Sequence, residues 1–106
     1  MWRAFGKPFL NIKKIFPTKQ KYVAQMIDVC KNNPNVKKII IFGSSITAGC
    51  NPWSDIDIYF EMENEPHAYP TIASHKQAFD KWSNFTASGD LLNEIQKNGV
   101  VVYERQ

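Results

Sequence analysis

This sequence of 106 residues lacks the features that mark several protein classes. Its two cysteines, Cys30 and Cys50, form no Cys-x-x-Cys pair, and its two histidines form no His-x-x-x-His pair, so a zinc site has almost no support. Two reduced thiols are the better interpretation of the cysteines. No apolar run approaches the length of a membrane span, and the N-terminus has no apolar segment followed by a small-residue cleavage site. We therefore expect a cytoplasmic protein that is not associated with a membrane.

The chain is also too short for two ordinary domains, and it contains no internal repeat, low-complexity tract or linker. Hydrophobic residues make up 43% of it and charged residues 22%, which is typical of a soluble globular protein. The apolar side chains of the first 17 residues follow neither a helical nor a strand period. We interpret residues 1–17 as an N-terminal arm that packs on the domain or on a partner, and residues 18–106 as the domain.

Charge of opposite sign dominates the two parts of the chain. Residues 1–40 contain nine Lys or Arg and one Asp, a formal charge of +8, whereas residues 41–106 contain four bases and nine acids, a formal charge of −5. The basic part could attract a nucleoside triphosphate, RNA or an acidic partner. A solvated, lysine-rich surface is the alternative, and the charge pattern alone does not decide between them.

The hydrophobic pattern predicts a small domain of mixed class. Pro17 and Thr18 are typical of a helix start, with Thr18 as the N-cap, and the continuous apolar run at residues 39–42 predicts a central strand that is buried on both faces. We expect an α/β (α+β) fold in which helices pack on a small mixed sheet of about four strands. The predicted order is helix, strand, short helix, strand, irregular connection, strand, helix and strand, at residues 19–31, 36–42, 44–48, 54–61, 62–74, 75–82, 88–98 and 100–103.

The stretch after the central strand contains the residues that indicate function. Gly43-Ser44 ends the apolar run, and ten residues later Asp55 and Asp57 flank Ile56 in a second apolar run. Strand side chains alternate, so both aspartates should project from one face. Adjacent carboxylates repel each other unless they hold a cation, which predicts a divalent-metal site. Backbone N–H groups at Gly43-Ser44 could hold phosphate oxygens, since glycine lets a ligand approach the backbone.

Gly43-Ser44 followed by Asp55-Ile56-Asp57 at this spacing resembles the signature of the nucleotidyltransferase superfamily that includes DNA polymerase beta. The resemblance extends over residues 21–104, and residues 91–103 resemble the helix-Gly-strand ending of that family. The small size is similar to that of the minimal nucleotidyltransferases, which are often encoded beside a HEPN-domain partner. The resemblance implies a third acid on the next strand, and this role is carried to Asp80. The alternative for Asp80 is a surface carboxylate that pairs with Lys76 or Lys81.

The resemblance implies a Mg²⁺-dependent enzyme that moves a nucleoside monophosphate, AMP from ATP in the first instance, to a hydroxyl of a protein, RNA or small-molecule acceptor. Asp80 and the two aspartates of the strand would hold two Mg²⁺ ions. The turn residues Gly43, Ser44 and Ser45 would bind the nucleotide phosphates. Relatives paired with HEPN proteins modify a tyrosine of their partner with AMP, which favours an acceptor that a partner supplies.

The sequence departs from the family pattern at two places, and the first of them, together with the apolar, basic N-terminal arm, supports an alternative function. Residues 45–49 contain no arginine, whereas many minimal nucleotidyltransferases have one or two there to bind phosphates. The connection after the second strand is short and contains prolines, where relatives often have a helix. The alternative is an antitoxin-like or catalytically weakened binding module that acts through a HEPN-type partner. Trp53 could stack on a base or pack in the core, and His67 and His75 are predicted to be surface histidines.

Overall fold

The computed structural model describes all residues from 1 to 106 and confirms the predicted α+β class. Four strands form one mixed sheet, and two α-helices pack on it. The elements are α1 Pro17–Cys30, β1 Val36–Phe42, β2 Ile56–Met62, β3 Phe79–Ser83, α2 Gly89–Asn98 and β4 Val100–Glu104, together with short 3-10 helices at Ile12–Lys14 and Gly43–Ile46. Neither α-helix combines the length and the apolar character that crossing a membrane would require.

The strands lie in the order β3-β2-β1-β4. β1 is antiparallel to both of its neighbours, and β2 is parallel to β3. The long loop from β1 to β2 therefore closes an antiparallel pair, so it has hairpin geometry rather than that of a crossover. As a result, the C-terminal end of β1 lies beside the N-terminal end of β2.

β1 is buried on both faces, which explains its continuous apolar run. Ile39 and Ile41 are completely buried in the larger of two hydrophobic clusters, where residues of α1 cover the sheet. Ile40 and Phe42 point the other way, into a smaller cluster that includes Ile95 of α2. The prediction of a central strand from the run of isoleucines is confirmed.

Three predicted element starts are wrong. α1 begins at Pro17, and Phe16 occupies the N-cap position, so Thr18 is not the cap. Proline suits the first helical turn because its missing N–H would have no partner there. β2 begins at Ile56 rather than at residue 54, which leaves Asp55 at the end of the loop. β3 begins at Phe79 rather than at residue 75, and the side chain of Gln77, before the strand, donates to the carbonyl oxygens of Ser54 and Ala78.

The N-terminal segment is attached to α1 through one fully buried amide, that of Gln20. Gln20 Nε2 donates to the carbonyl oxygens of Arg3, Ile12 and Ile15 at 2.8, 3.2 and 3.0 Å. Gln20 Oε1 accepts a hydrogen bond of 2.7 Å from the backbone N–H of Phe5. Ile12 and Ile15 are buried, so the segment contributes to the core as well as to the surface.

Replacing Gln20 with Met should lower the free energy of unfolding by about 2 kcal/mol, because buried backbone groups would lose their partners. We expect urea denaturation to show this loss, and hydrogen exchange to show faster exchange at Phe5 N–H. Gln25→Met on the exposed side of the same helix is the matched control. An equal loss in both variants would contradict the role of the Gln20 amide.

Candidate active site

The backbone turns sharply at Gly43, directly after β1, and this turn contacts the carboxylate of Asp57. Gly43 has φ of +71°, a left-handed conformation that residues with a side chain rarely adopt. A Cβ atom at Gly43 would collide with Oδ2 of Asp57. The β1–β2 register explains the contact, since Phe42, the last residue of β1, pairs with Asp57. The Gly43 backbone therefore lies directly against the Asp57 carboxylate.

Asp57 and Asp80 form a pair across the parallel strands. They are register partners between β2 and β3, so their side chains leave the same face of the sheet. The pKa of Asp57 is raised from 3.8 to about 6; burial is the largest cause, followed by the charge of Asp80, a hydrogen bond with Asp80 and the charge of Asp55. Ile56 and Ile58 are completely buried on the other face, which fixes the direction of Asp57.

The structure thus brings the three predicted acids into one neighbourhood, although they differ in exposure. Asp55 and Asp80 are exposed and Asp57 is half-buried. Asp80 takes part in none of the four ion pairs, so its predicted alternative, pairing with Lys76 or Lys81, is not found.

The donor chemistry of the acids suits a hard cation. No group of three or more His, Cys, Asp or Glu side chains is arranged to hold a metal ion. Mg²⁺ is ordinarily held by one or two carboxylates together with substrate phosphates rather than by an all-protein cage. The Asp57–Asp80 pair supplies such oxygen donors, and the pKa of Asp57 is raised, first by burial and then by its acidic neighbours. The residues present therefore fit a magnesium ion that binds together with a phosphate-bearing substrate.

The three predicted phosphate-binding residues differ in accessibility. Gly43 is exposed, Ser44 is half-buried and Ser45 is completely buried. Ser45 Oγ is the one buried side-chain oxygen or nitrogen that has no hydrogen-bond partner. The Ser45 carbonyl accepts a hydrogen bond of 2.8 Å from Phe16 N–H, which joins this turn to the start of α1. A buried hydroxyl without a partner is uncommon and sets this turn apart from the rest of the chain.

Two residues that the sequence interpretation missed hold the loop before Asp55. Lys19 is 1% exposed, and its Nζ donates to Ser54 O and to Gln77 Oε1, both at 2.6 Å. Gln77 Nε2 also donates to Ser54 O, at 3.0 Å. A signal was present, since Lys19 lies four residues before Val23 and therefore on the apolar stripe of α1. A polar residue on an apolar stripe indicates a specific partner.

The structure also gives the exposure and the contacts of Trp53, Tyr59, the two histidines and the two cysteines. Trp53 is 89% exposed, so its predicted alternative of packing in the core is wrong. Tyr59 lies on the Asp57 face but is buried in the smaller cluster, where its hydroxyl donates to Glu61 Oε2 at 2.5 Å. His67 and His75 are exposed, as predicted. Both cysteines are free thiols, and burial raises the pKa of Cys30 to about 12.

The comparison with known families agrees with this geometry. The family model described as "Polymerase beta, Nucleotidyltransferase" matches residues 24–106, which is most of the chain and includes every acid of the site. No curated protein and no solved structure matches the chain significantly. The chain therefore belongs to the polymerase beta-like nucleotidyltransferase family.

Replacing Gly43 with Ala should destabilise the protein by about 2 kcal/mol, because alanine is strained at positive φ and its Cβ would displace Asp57. Thermal and urea unfolding would measure the change. Gly49→Ala is the matched control, since a Cβ there meets only Thr47 Oγ1 at 3.6 Å, an ordinary contact. If the two variants were equally stable, the proposed tightness of the Gly43–Asp57 contact would be wrong.

Replacing Asp57 with Asn should stabilise the protein at pH 7.5 and leave its stability nearly unchanged at pH 4. The folded protein holds the Asp57 proton more tightly than the unfolded chain, since the pKa is raised from 3.8 to about 6. The stability from this group is therefore present below pH 4 and lost as the pH rises through 6. Discounted for solvent screening, we expect a gain of about 1 kcal/mol at pH 7.5.

Urea unfolding at several pH values would measure this gain, and Glu65→Gln, which neutralises an exposed acid, is the control. A gain that does not change between pH 4 and pH 7.5 would contradict the raised pKa of Asp57 in the folded protein.

Proposed function

We propose that this chain is a Mg²⁺-dependent nucleotidyltransferase that transfers a nucleoside monophosphate, AMP from ATP in the first instance, to an acceptor hydroxyl. The observation that carries the proposal is the position of Asp57, the register partner of Asp80, directly against the Gly43 backbone. Carboxylates and a phosphate-binding turn are then neighbours, which is what transfer between a triphosphate and a hydroxyl requires. Membership of the polymerase beta-like family supports this reaction class.

The reaction forms a bond between the acceptor oxygen and the α-phosphorus and breaks the bond between that phosphorus and the β-phosphate, so pyrophosphate leaves. When bound, Mg²⁺ offsets the phosphate charge and lowers the pKa of an oxygen that it contacts. Asp57 and Asp80 are the residues that would hold the cation, with Asp55 beside them. Asp80 is exposed and free of ion pairs, so it is also placed to accept the proton of the acceptor hydroxyl.

The turn after β1 would orient the phosphates. Gly43 has no side chain, so a phosphate oxygen can approach its backbone closely. Ser44 is half-buried and offers a hydroxyl at the surface. Ser45 Oγ has no partner, so a small rearrangement of the turn on binding would give this oxygen a hydrogen bond that it lacks.

A protein or RNA partner is the acceptor that we propose, with a HEPN-type protein as the first candidate. The indole of Trp53 is 89% exposed two residues before Asp55, so a partner or a base can stack on it beside the acids. A second candidate function is an antitoxin-like module that neutralises its partner by contact. The specific observation that favours it is the exposure of apolar Phe5 and Leu10, each 51% exposed, in the basic N-terminal arm.

Transfer can be tested by incubating the protein with ATP labelled at the α-phosphate, Mg²⁺ and one of three acceptors: a HEPN-domain protein, single-stranded RNA or the chain itself. We expect label in an acceptor, and a loss of roughly 100-fold or more in Asp57→Asn and in Asp80→Asn. Glu65→Gln removes an acid outside the site and should retain the activity of the unmodified protein.

The transferase and the antitoxin-like module predict different results for ATP labelling and for neutralisation of the partner's activity, which is measured in parallel. Failure of the unmodified protein to bind ATP and Mg²⁺ or to label any acceptor would refute the transferase. If Asp57→Asn and Asp80→Asn still neutralised the partner as well as the unmodified protein does, the contact module would be supported instead. Loss of neutralisation together with loss of transfer would support the enzyme.

A further inference from the structure

A cavity lies beside the start of α1, and none of the three acids lines it. Its volume is about 490 Å³, and Gly43 does not line it either. The lining residues that matter are three lysines, two aromatic residues and one glutamine: Lys19, Lys21, Lys76, Phe5, Tyr22 and Gln77. No acidic residue lines the cavity.

One residue that lines this cavity, Lys19, has a buried ammonium group without an acidic partner. Lys19 is 1% exposed, and its ammonium group has two neutral acceptors, Ser54 O and Gln77 Oε1, each at 2.6 Å. An ammonium group has three N–H donors, and Lys19 takes part in none of the four ion pairs. Burying a charge without an opposite charge is unfavourable. An anion in the cavity would supply that missing charge.

Two further lysines increase the positive potential at the same place. Lys21 and Lys76 are exposed and come from α1 and from the segment before β3, so two separate parts of the chain converge on the cavity. Neither takes part in an ion pair. Walls of one sign concentrate the field within a cavity, and lysine binds phosphate as a point charge.

The size and the aromatic residues of the cavity favour a ligand larger than an inorganic ion. A volume of about 490 Å³ is within the usual range for small-molecule sites. Phe5 is 51% exposed at the cavity, and Tyr22 is half-buried there with Lys21 Nζ 4.9 Å from its ring centroid. Aromatic rings beside lysines are the combination that stacks on bases while it neutralises phosphates.

We propose that this cavity is a second nucleotide-binding site, in which the lysines bind a phosphate group and Phe5 stacks on the base. The phosphate belongs either to a free nucleotide or to a single-stranded nucleic acid. The lining residues Pro52 and Gln77 are each three residues before an acid, Asp55 and Asp80 respectively, and three extended residues span at most about 11 Å. A nucleotide in the cavity therefore lies close to the acid cluster. Binding does not depend on turnover, so it is separable from the proposed transfer.

Binding can be measured without Mg²⁺, by fluorescence anisotropy with a labelled ten-nucleotide single-stranded RNA and by calorimetry with ATP. We expect Lys21→Gln/Lys76→Gln to weaken binding at least about tenfold and to reduce the salt slope for RNA by about 1.4, which corresponds to two lost phosphate contacts. The control Lys14→Gln/Lys97→Gln removes the same charge from exposed positions outside the cavity.

A second pair of variants tests the aromatic contribution. Phe5→Ala should weaken binding at least about fivefold through lost stacking, whereas Leu10→Ala, equally exposed at 51% but outside the cavity, should not. A selective loss with RNA alone identifies a strand as the ligand, and a selective loss with ATP alone identifies a free nucleotide. Equal affinities in the cavity variants and their controls, or no binding of either probe, would overturn the proposal.

Discussion

The candidate site depends on one close approach, that of the Asp57 carboxylate to the backbone of Gly43. Oδ2 of Asp57 lies where a Cβ at position 43 would have to be, and the chain turns there at φ of +71°. Any other residue at 43 would have to displace the carboxylate or change the turn. The contact also requires the β1–β2 register in which Phe42 pairs with Asp57, so local backbone conformation and sheet register are mutually dependent.

The fold keeps three acids together although their charges repel. Ile56 and Ile58 are completely buried, and strand alternation then compels Asp57 to the opposite face, next to Asp80. The carboxylate cannot withdraw without exposing these isoleucines, and its burial, together with the charges of Asp80 and Asp55, raises its pKa to about 6. The packing of the hydrophobic core thus holds acidic side chains close together at the proposed cation site.

Much of this could be predicted from residue patterns, and the rest could not for identifiable reasons. The run at residues 39–42 predicted a strand buried on both faces, and Gly43 with Asp55 and Asp57 predicted the family. Lys19 was missed because the buried face of a helix is recognised in a sequence by its apolar residues. A lysine can also lie on that face when groups from distant parts of the chain accept hydrogen bonds from its ammonium group. Those groups are 35 and 58 residues away in the chain, and no local pattern gives such distances.

Residues 45–49 contain no arginine, and the structure shows where other cationic side chains lie. Three lysines, Lys19, Lys21 and Lys76, line a cavity without acids that also includes Pro52 of the loop that leads to Asp55. Lys19 belongs to that cavity and also binds the carbonyl of Ser54, the residue before Asp55. An anion bound in the proposed site would therefore interact with the same ammonium group that donates a hydrogen bond to the loop before Asp55. Lys19 of the basic N-terminal part is thus one of the side chains that contact the acidic remainder of the chain.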